Sequence, residues 1–397
     1  MTFKSGSYHI ANSSSASFNS LKLNTKSDII VRGNIDNDIP AFGGPLLSQT
    51  SPNIGTVAMY GVENNGDIRR IPFALETVSS DVGEVIEGGY SAGAHSESEA
   101  FLAGRTGPPP STQFDLEKFS FSSQTTTATS VGEIASSPEA SPANPVNMRL
   151  DSQQGHASAS HGFWTGGKGQ PTPSRSDPSS PTPTVLQIAK FPFSIATVSG
   201  LTEVGTLNEP HAVGFGHSSL TDGFVVAGQG WQNPLPAPFV APTHRNIESI
   251  EKFPFSITSG SSSDVGELAG GARQANPYGA GGHASDTTAF QAGGDNLPTS
   301  PYPQAVDTIN KFPFSISSGS TADHGELSFA NNSLRVAHHS VSSKGYIIKA
   351  GPTPLGMTSK GDVYTFNFTS PATSADLGQL TGPTSSTGNN FDGGISD

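Results

Sequence analysis

The sequence predicts an all-β chain, a six-bladed β-propeller of four-stranded antiparallel blades, with seven blades as the alternative count. Three observations predict it. A seven-residue phrase returns six times, its copies are separated by lengths that suit one four-stranded sheet, and four short strand-like phrases cycle in fixed order within each repeat.

The recurring phrase is clearest from Ile250 to Ser256, reading Ile-Glu-Lys-Phe-Pro-Phe-Ser. It returns at Ile309 to Ser315 and Ile188 to Ser194, is degraded at Leu116 to Ser122, and survives in outline at Ile68 to Ala74 and Val363 to Thr369. Its first ring positions, Ile71, Phe119, Phe191, Phe253, Phe312 and Phe366, stand 48, 72, 62, 59 and 54 residues apart. Those spacings are too long for ankyrin, tetratricopeptide or leucine-rich units. Residues two apart on a strand project to one face. The pairs Phe119 and Phe121, Phe191 and Phe193, Phe253 and Phe255, Phe312 and Phe314, Phe366 and Phe368, with Phe73 in the first copy, are therefore expected to fill the space between blades. Proline removes a ladder donor, which places this strand toward the outside or at an irregular pairing.

Three further phrases complete the unit. One sets a histidine among very small residues, as in Gly216-His217-Ser218-Ser219, and suits the crowded strand nearest the axis. Its five copies contribute His95, His156, His217, His283 and His339. The next ends in glycine, as in Phe290-Gln291-Ala292-Gly293-Gly294, so that the backbone can turn where a Cβ would clash. The last is Asp264-Val265-Gly266-Glu267-Leu268 and its relatives, from Asp81 to Val85 through Asp376 to Leu380.

On this reading residues 39–380 form the propeller. Residues 1–38, rich in Ser and Asn, form an N-terminal arm that anchors the ring or closes it, with strands expected at Ser17 to Leu23 and Asp28 to Val31. Residues 381–397, rich in Gly, Ser and Thr, form a flexible tail. The loops between the second and third phrases vary most, and variable loops on a repeated scaffold are where recognition concentrates. Arg175, Trp231, Phe239 and His244 stand in or at the ends of the two longest and are the candidate binding residues.

Composition narrows the function. Charged residues make up 13% of the chain and aromatic residues 8%, with 46 glycines and 31 prolines, which fits short strands and many turns. A formal net charge of -13 leaves no basic stripe to displace counterions, so nucleic acid is not an expected partner. With no cysteine, disulfides, thiolate metal sites and cysteine nucleophiles are excluded. The chain contains neither a signal-peptide core nor an apolar run of about 18 residues, so neither export nor membrane insertion is expected.

The glycine pair after an apolar strand is similar to the kelch repeat, whose period of about 50 residues is close to the spacings here. The Tyr and Trp that follow in kelch blades are absent. The full set, Gly-His-Ser-Ser, Phe-x-Ala-Gly-Gly, Ile-x-Lys-Phe-Pro-Phe-Ser and Asp-Val-Gly-Glu-Leu, resembles the propeller-type repeat proteins of marine bacteriophages, cyanophages above all, over Ala41 to Leu380. The resemblance implies a non-enzymatic virion protein of a tail, fibre or capsid appendage, made in the host cytoplasm and carried on the particle. Its partners would be other virion proteins and a host-surface glycan or protein. The alternative is a carbohydrate-binding or carbohydrate-active propeller.

The residues point to no catalytic, cofactor or metal site. Histidines supplied one per blade are spread around an axis, too far apart for zinc bonds of about 2.0 to 2.1 Å, so each is expected to hydrogen-bond a neighbouring strand, loop or carboxylate. The repeated acids Glu84, Glu133, Glu267 and Glu326 are expected to pair across strands with Arg70, Lys118, Lys252 and Lys311. Hydrolysis of a sugar would need two carboxylates about 5 to 9.5 Å apart at positions outside the repeat, such as Glu209, Asp222 and Glu248.

Overall fold

The structure is a computed structural model. It describes residues 2–5, 8–12 and 58–396, apart from 64–65, 87–89, 107–112, 123–125, 134–145, 152–153, 172–185, 197–201, 212–213, 232–243, 270–281, 297–303, 332–335, 353–357, 372 and 382–390. The chain divides into two units, Met1–Gln49 and Thr50–Asp397. Within the first, Thr2–Ser5 and Tyr8–Asn12 pair as an antiparallel hairpin. The strands expected at Ser17 to Leu23 and Asp28 to Val31 lie outside the described residues.

The second unit is a propeller of six blades, without helices among the described residues. In chain order within each blade, the fourth blade is Phe215–Ser218, Asp222–Trp231, His244–Pro254 and Ser263–Glu267, paired antiparallel side by side. The third is Gln154–Ala157, His161–Thr165, Gln187–Pro192 and Thr202–Thr206, with an extra ribbon of Val146–Asp151 and Lys168–Pro171. The second is Tyr90–His95, Glu99–Thr106, Gln113–Ser120 and Thr129–Glu133. The fifth is His283–Ala284, Thr288–Asn296, Gln304–Pro313 and Ala322–Asn331, and the sixth Val336–Val341, Lys344–Pro352, Thr358–Asn367 and Ala375–Gln379. The histidine phrase is thus the innermost strand and the Asp-Val-Gly-Glu phrase the outermost.

The first blade is assembled from both ends of this unit. Ala58–Glu63, Asp67–Pro72 and Ser80–Glu84 supply three strands, and Phe391–Ser396 supplies the innermost one, running antiparallel to Ala58–Glu63. The six innermost strands neighbour one another in a closed cycle, with Phe391–Ser396 between Tyr90–His95 and Val336–Val341. Residues 381–397 were expected to form a flexible tail, but the strand Phe391–Ser396 within them closes the ring, a role expected of the N-terminal arm. The physical reason is an incomplete repeat: the first blade has no histidine phrase of its own, and pairing removes the edge that Ala58–Glu63 would otherwise expose.

One aromatic cluster, repeated at every interface, holds the blades together. Phe253 and Phe255 of the fourth blade lie 5.8 and 4.9 Å from Phe163 on the second strand of the third. Phe312 and Phe314 meet Phe224 at 5.7 and 5.3 Å, and Phe366 and Phe368 meet Phe290 at 6.1 and 4.3 Å. Phe191 and Phe193 meet Phe101 at 5.3 and 5.1 Å, and Phe119 and Phe121 meet Tyr60 at 5.8 and 4.9 Å. At the seam, Phe73 of the first blade meets Tyr346 of the sixth at 5.4 Å, and the Tyr346 hydroxyl donates to Glu76 at 2.9 Å. All but one of these centroid distances fall in the range where aromatic pairs attract beyond their buried area, and Phe290 and Phe368, nearly parallel, stack slightly closer. Outside the rings, a second latch joins neighbours through parallel bridges, Thr206 with Ser261, Glu267 with Ser320 and Val78 with Thr381.

The repeated aspartates serve the backbone. Asp81, Asp264, Asp323 and Asp376 each accept from the N–H of the glycine two residues on, at 3.1, 3.1, 2.9 and 2.8 Å. That turn marks a bulge: Ile250 faces Gly266 while Glu251 faces Asp264, leaving Val265 extra. A Cβ on Gly266 would lie 2.6 Å from the Gly319 carbonyl oxygen of the next blade, so only glycine fits there.

Of the two placements expected for the third strand, toward the outside or at an irregular pairing, the structure shows the second: the strand lies between two others, its register with the fourth shifts at a bulge, and Pro254, Pro192 and Pro313 end their strands, where the ladder no longer needs a donor. The expected ion pairs are corrected. The base on this strand pairs with the second strand rather than the fourth: Lys252 contacts Asp222 at 3.3 Å and Lys118 contacts Glu99 at 2.9 Å. The bulge explains the change, since Lys252 faces Ser263 in register while Glu267 faces Ser249 three residues away. Both partners of the Lys252 pair are partly exposed. Lys252→Met should therefore lower stability by no more than about 1 kcal/mol, with coupling to Asp222 and none to Glu267 in double-mutant cycles of urea denaturation.

Candidate functional site

The innermost histidines are wedged between blades rather than turned into a channel. His156 donates from Nδ1 to the carbonyl of His217 in the next blade at 3.0 Å, and Nε2 faces the Thr165 hydroxyl at 2.9 Å. Its ring stands edge-on to Phe253 at 5.1 Å. His283 repeats this, with Nδ1 donating to the His339 carbonyl at 2.9 Å and the ring edge-on to Phe366 at 4.9 Å. Because that Nδ1 carries the proton, Nε2 of His283 accepts from Nδ1 of His338 at 2.9 Å. His217 stands edge-on to Phe312 at 5.6 Å, whereas His95 is only half-buried and its Nδ1 faces the Ser96 carbonyl at 3.2 Å.

Burial favours the neutral form of His156, His217 and His283. It pushes His156 and His283 down to about 4, against which their backbone hydrogen bonds act. Burial, with the neighbouring His283 and His156, pushes His217 down to about 3. A base whose folded value lies below its unfolded value of about 6.5 contributes stability that is complete above pH 6.5 and is lost as pH falls toward the folded value. Urea-denaturation stability should consequently drop between pH 6.5 and 5, above the carboxylate range, by about 1.4 kcal/mol per pH unit for each of the three. A flat profile across that window would show the rings to be charged in the folded state.

The two ends of the propeller differ in kind. At one end the inner hairpins close in uniform short turns, where Ser158, Ser219 and Ser285 each accept from the N–H three residues on at 3.0, 2.9 and 3.1 Å. Since the strands alternate in direction, the opposite end carries both the connections between second and third strands and the linkers from one blade to the next. There the connections run from a short one after Glu63 to long ones after Pro171 and Trp231, and there the ribbon of the third blade projects. Of the candidate binding residues, Trp231 and His244 face each other in register at the end of the fourth-blade hairpin. Arg175 and Phe239 lie outside the described residues.

The linker at this end from the third blade to the fourth, residues 207–214, carries a constellation that sequence reasoning missed. Glu251, on the third strand of the fourth blade, is fully buried and accepts from the N–H groups of Asn208 and Glu209 at 2.8 and 2.6 Å and from the Ser262 hydroxyl. His211, equally buried, donates from Nδ1 to the Ala227 carbonyl at 2.7 Å and brings Nε2 to 3.2 Å from Glu251. Burial draws the Glu251 carboxyl upward, but hydrogen bonds from His211, Ser262 and Asn208 and the His211 charge outweigh it and leave it below the usual carboxylate range. Ser249 donates to Glu209 at 2.9 Å. Of the acids considered for sugar hydrolysis, Glu209 joins this group, while Asp222 is held by Lys252.

Part of the arrangement recurs. Glu117, at the position of Glu251 in the second blade, accepts from the Ile86 N–H of its own linker at 3.0 Å. A buried carboxylate at this position therefore pins the incoming linker, and it could have been suspected from the acids that precede Lys118 and Lys252. Among the described residues, the histidine with its second glutamate occurs in this one linker.

Comparison with known proteins adds little. The chain matches no family model and no curated protein. It is similar to a solved structure described as "Structure of YjhT", with TM-score 0.47 and 11% identity over 77% of this chain and 86% of that one. The fold assignment rests on the sheet order and on the closed cycle of inner strands.

Proposed function

We propose that the protein is a non-enzymatic binding module, a rigid propeller that presents the irregular end of its ring to a macromolecular partner. The observation that carries this reading is the contrast between the ends: aromatic contacts at all six interfaces fix the ring, while the long and unequal connections all emerge on one side. A propeller fold is consistent with docking to a protein or binding a carbohydrate. The finer reading, that the partner is another protein of a phage particle or a host-surface molecule, draws its support from the resemblance of the phrase set to marine-phage repeat proteins. In that role the disc would act passively, as a component of a tail, fibre or capsid appendage.

Peptide mapping of purified particles, followed by a density map of the assembly, tests it. The expected result is the propeller at a fixed symmetry position with the 232–243 side against a neighbour. Absence from the particle, together with saturable glycan binding or sugar turnover by free protein, would move the assignment to the carbohydrate reading.

A further inference from the structure

We propose that Glu209, His211 and Glu251 form a binding site for one divalent transition-metal ion of the zinc class. The potential ligand atoms, one carboxylate oxygen from each glutamate and Nε2 of His211, all lie within 4.8 Å of one another, and Nε2 stands 3.2 Å from Glu251 Oε1. Zinc bonds of about 2.0 to 2.2 Å in tetrahedral geometry set ligand atoms about 3.4 Å apart, so the three need only small side-chain rotations to share an ion.

The hydrogen bonds around the site prepare it for a cation. His211 Nδ1 donates to the Ala227 carbonyl, so Nε2 is left to face the centre. Anchoring the far ring nitrogen in this way is the support that metal-binding histidines receive. Ser249 gives its hydrogen to Glu209 Oε2, at 2.9 Å, and turns an oxygen lone pair toward Nε2 at 3.5 Å. Nε2 is therefore ringed by acceptors and requires a positive charge between it and them. A metal cation suits that place, since it can take a lone pair from the imidazole and from each carboxylate at once. Glu251 can ligate and still accept backbone N–H groups, because each carboxylate oxygen has two lone pairs.

The donor set identifies the class. One imidazole and two carboxylates without a thiolate suit zinc or manganese better than calcium, which takes oxygen ligands alone. Glu209 is only half-buried, which leaves a side open to solvent and a fourth position for water or a partner's ligand. The ion would tie residues 208–211 to the second and third strands of the fourth blade, whatever the partner of the propeller. Its test is accordingly separate from that of the proposed function.

The test is equilibrium dialysis of the chelator-stripped, full-length chain against zinc, with metal counted by mass spectrometry. It is repeated for Glu209→Gln and His211→Gln, and cobalt is substituted for zinc to read the absorption of a nitrogen and oxygen site. Glu209→Gln is the secure variant for folding, since Glu251 takes the Glu209 backbone N–H and not its side chain. One zinc per chain in the parent, weakened at least roughly tenfold in both variants with loss of the cobalt bands, is the expected result. No stoichiometric zinc in the parent, or zinc retained by either variant at its original affinity, overturns the assignment.

Discussion

Removal of residues 391–397 is expected to cost the protein its cooperative folding transition. The inner strand Phe391–Ser396 is the sole partner of Ala58–Glu63 on its axial side and completes the cycle of six inner strands. Without it the first blade keeps its other strands but exposes a long edge in which Ala58, Met59 and Tyr60 are otherwise buried. Circular dichroism and size exclusion should show an aggregating or partly folded product. The missing strand added back as a synthetic peptide should restore a monomeric elution volume. A truncated chain that unfolds at the parental temperature would show that the ring closes elsewhere.

The second large effect is expected from Phe253→Ala, which should lower the stability of the propeller by about 3 to 5 kcal/mol. Phe253 is 0% exposed, covers Gly223 on its own sheet, and packs against both Phe163 and the edge of His156 from the preceding blade. Gly223 leaves room for the ring: a Cβ there would lie 2.3 Å from its tip, so the surroundings cannot collapse into the hole without moving backbone. Phe255→Ala should cost less, because that ring sits at the rim and remains 8% exposed. Chemical denaturation of the two variants checks the ranking, and equal losses would place the interface elsewhere.

The fold was legible because the chain states it several times over. A ring residue at Phe253 alone would be a guess, but its recurrence at Phe119, Phe191, Phe312 and Phe366 ties that position to a site every unit must fill. Strand order could be read for the same reason. The ion pairs could not, because one bulged residue such as Val265 shifts the register and carries Glu267 out of reach of Lys252. The closing strand was hidden by its composition, Phe-Asp-Gly-Gly-Ile-Ser, which looks like a loop. A signal was present in the imbalance of five histidine phrases against six Lys-Phe-Pro-Phe phrases, which left one unit short of an inner strand. Glu209, His211 and Glu251 were unreadable as a group because two belong to a linker and one to a repeat, and a register carries no information about how a linker folds back.

The late position of the sealing strand also sets a schedule for biosynthesis. On the ribosome, Glu84 emerges more than 300 residues ahead of Ser396, so at translation speeds of about 5 to 20 residues per second the opening sheet waits on the order of 15 to 60 s for its last partner. Throughout that interval the nascent polypeptide carries an open flank able to pair with a copy emerging from a neighbouring ribosome. Exchange of the terminal strand between sister chains is the misassembly such an architecture invites.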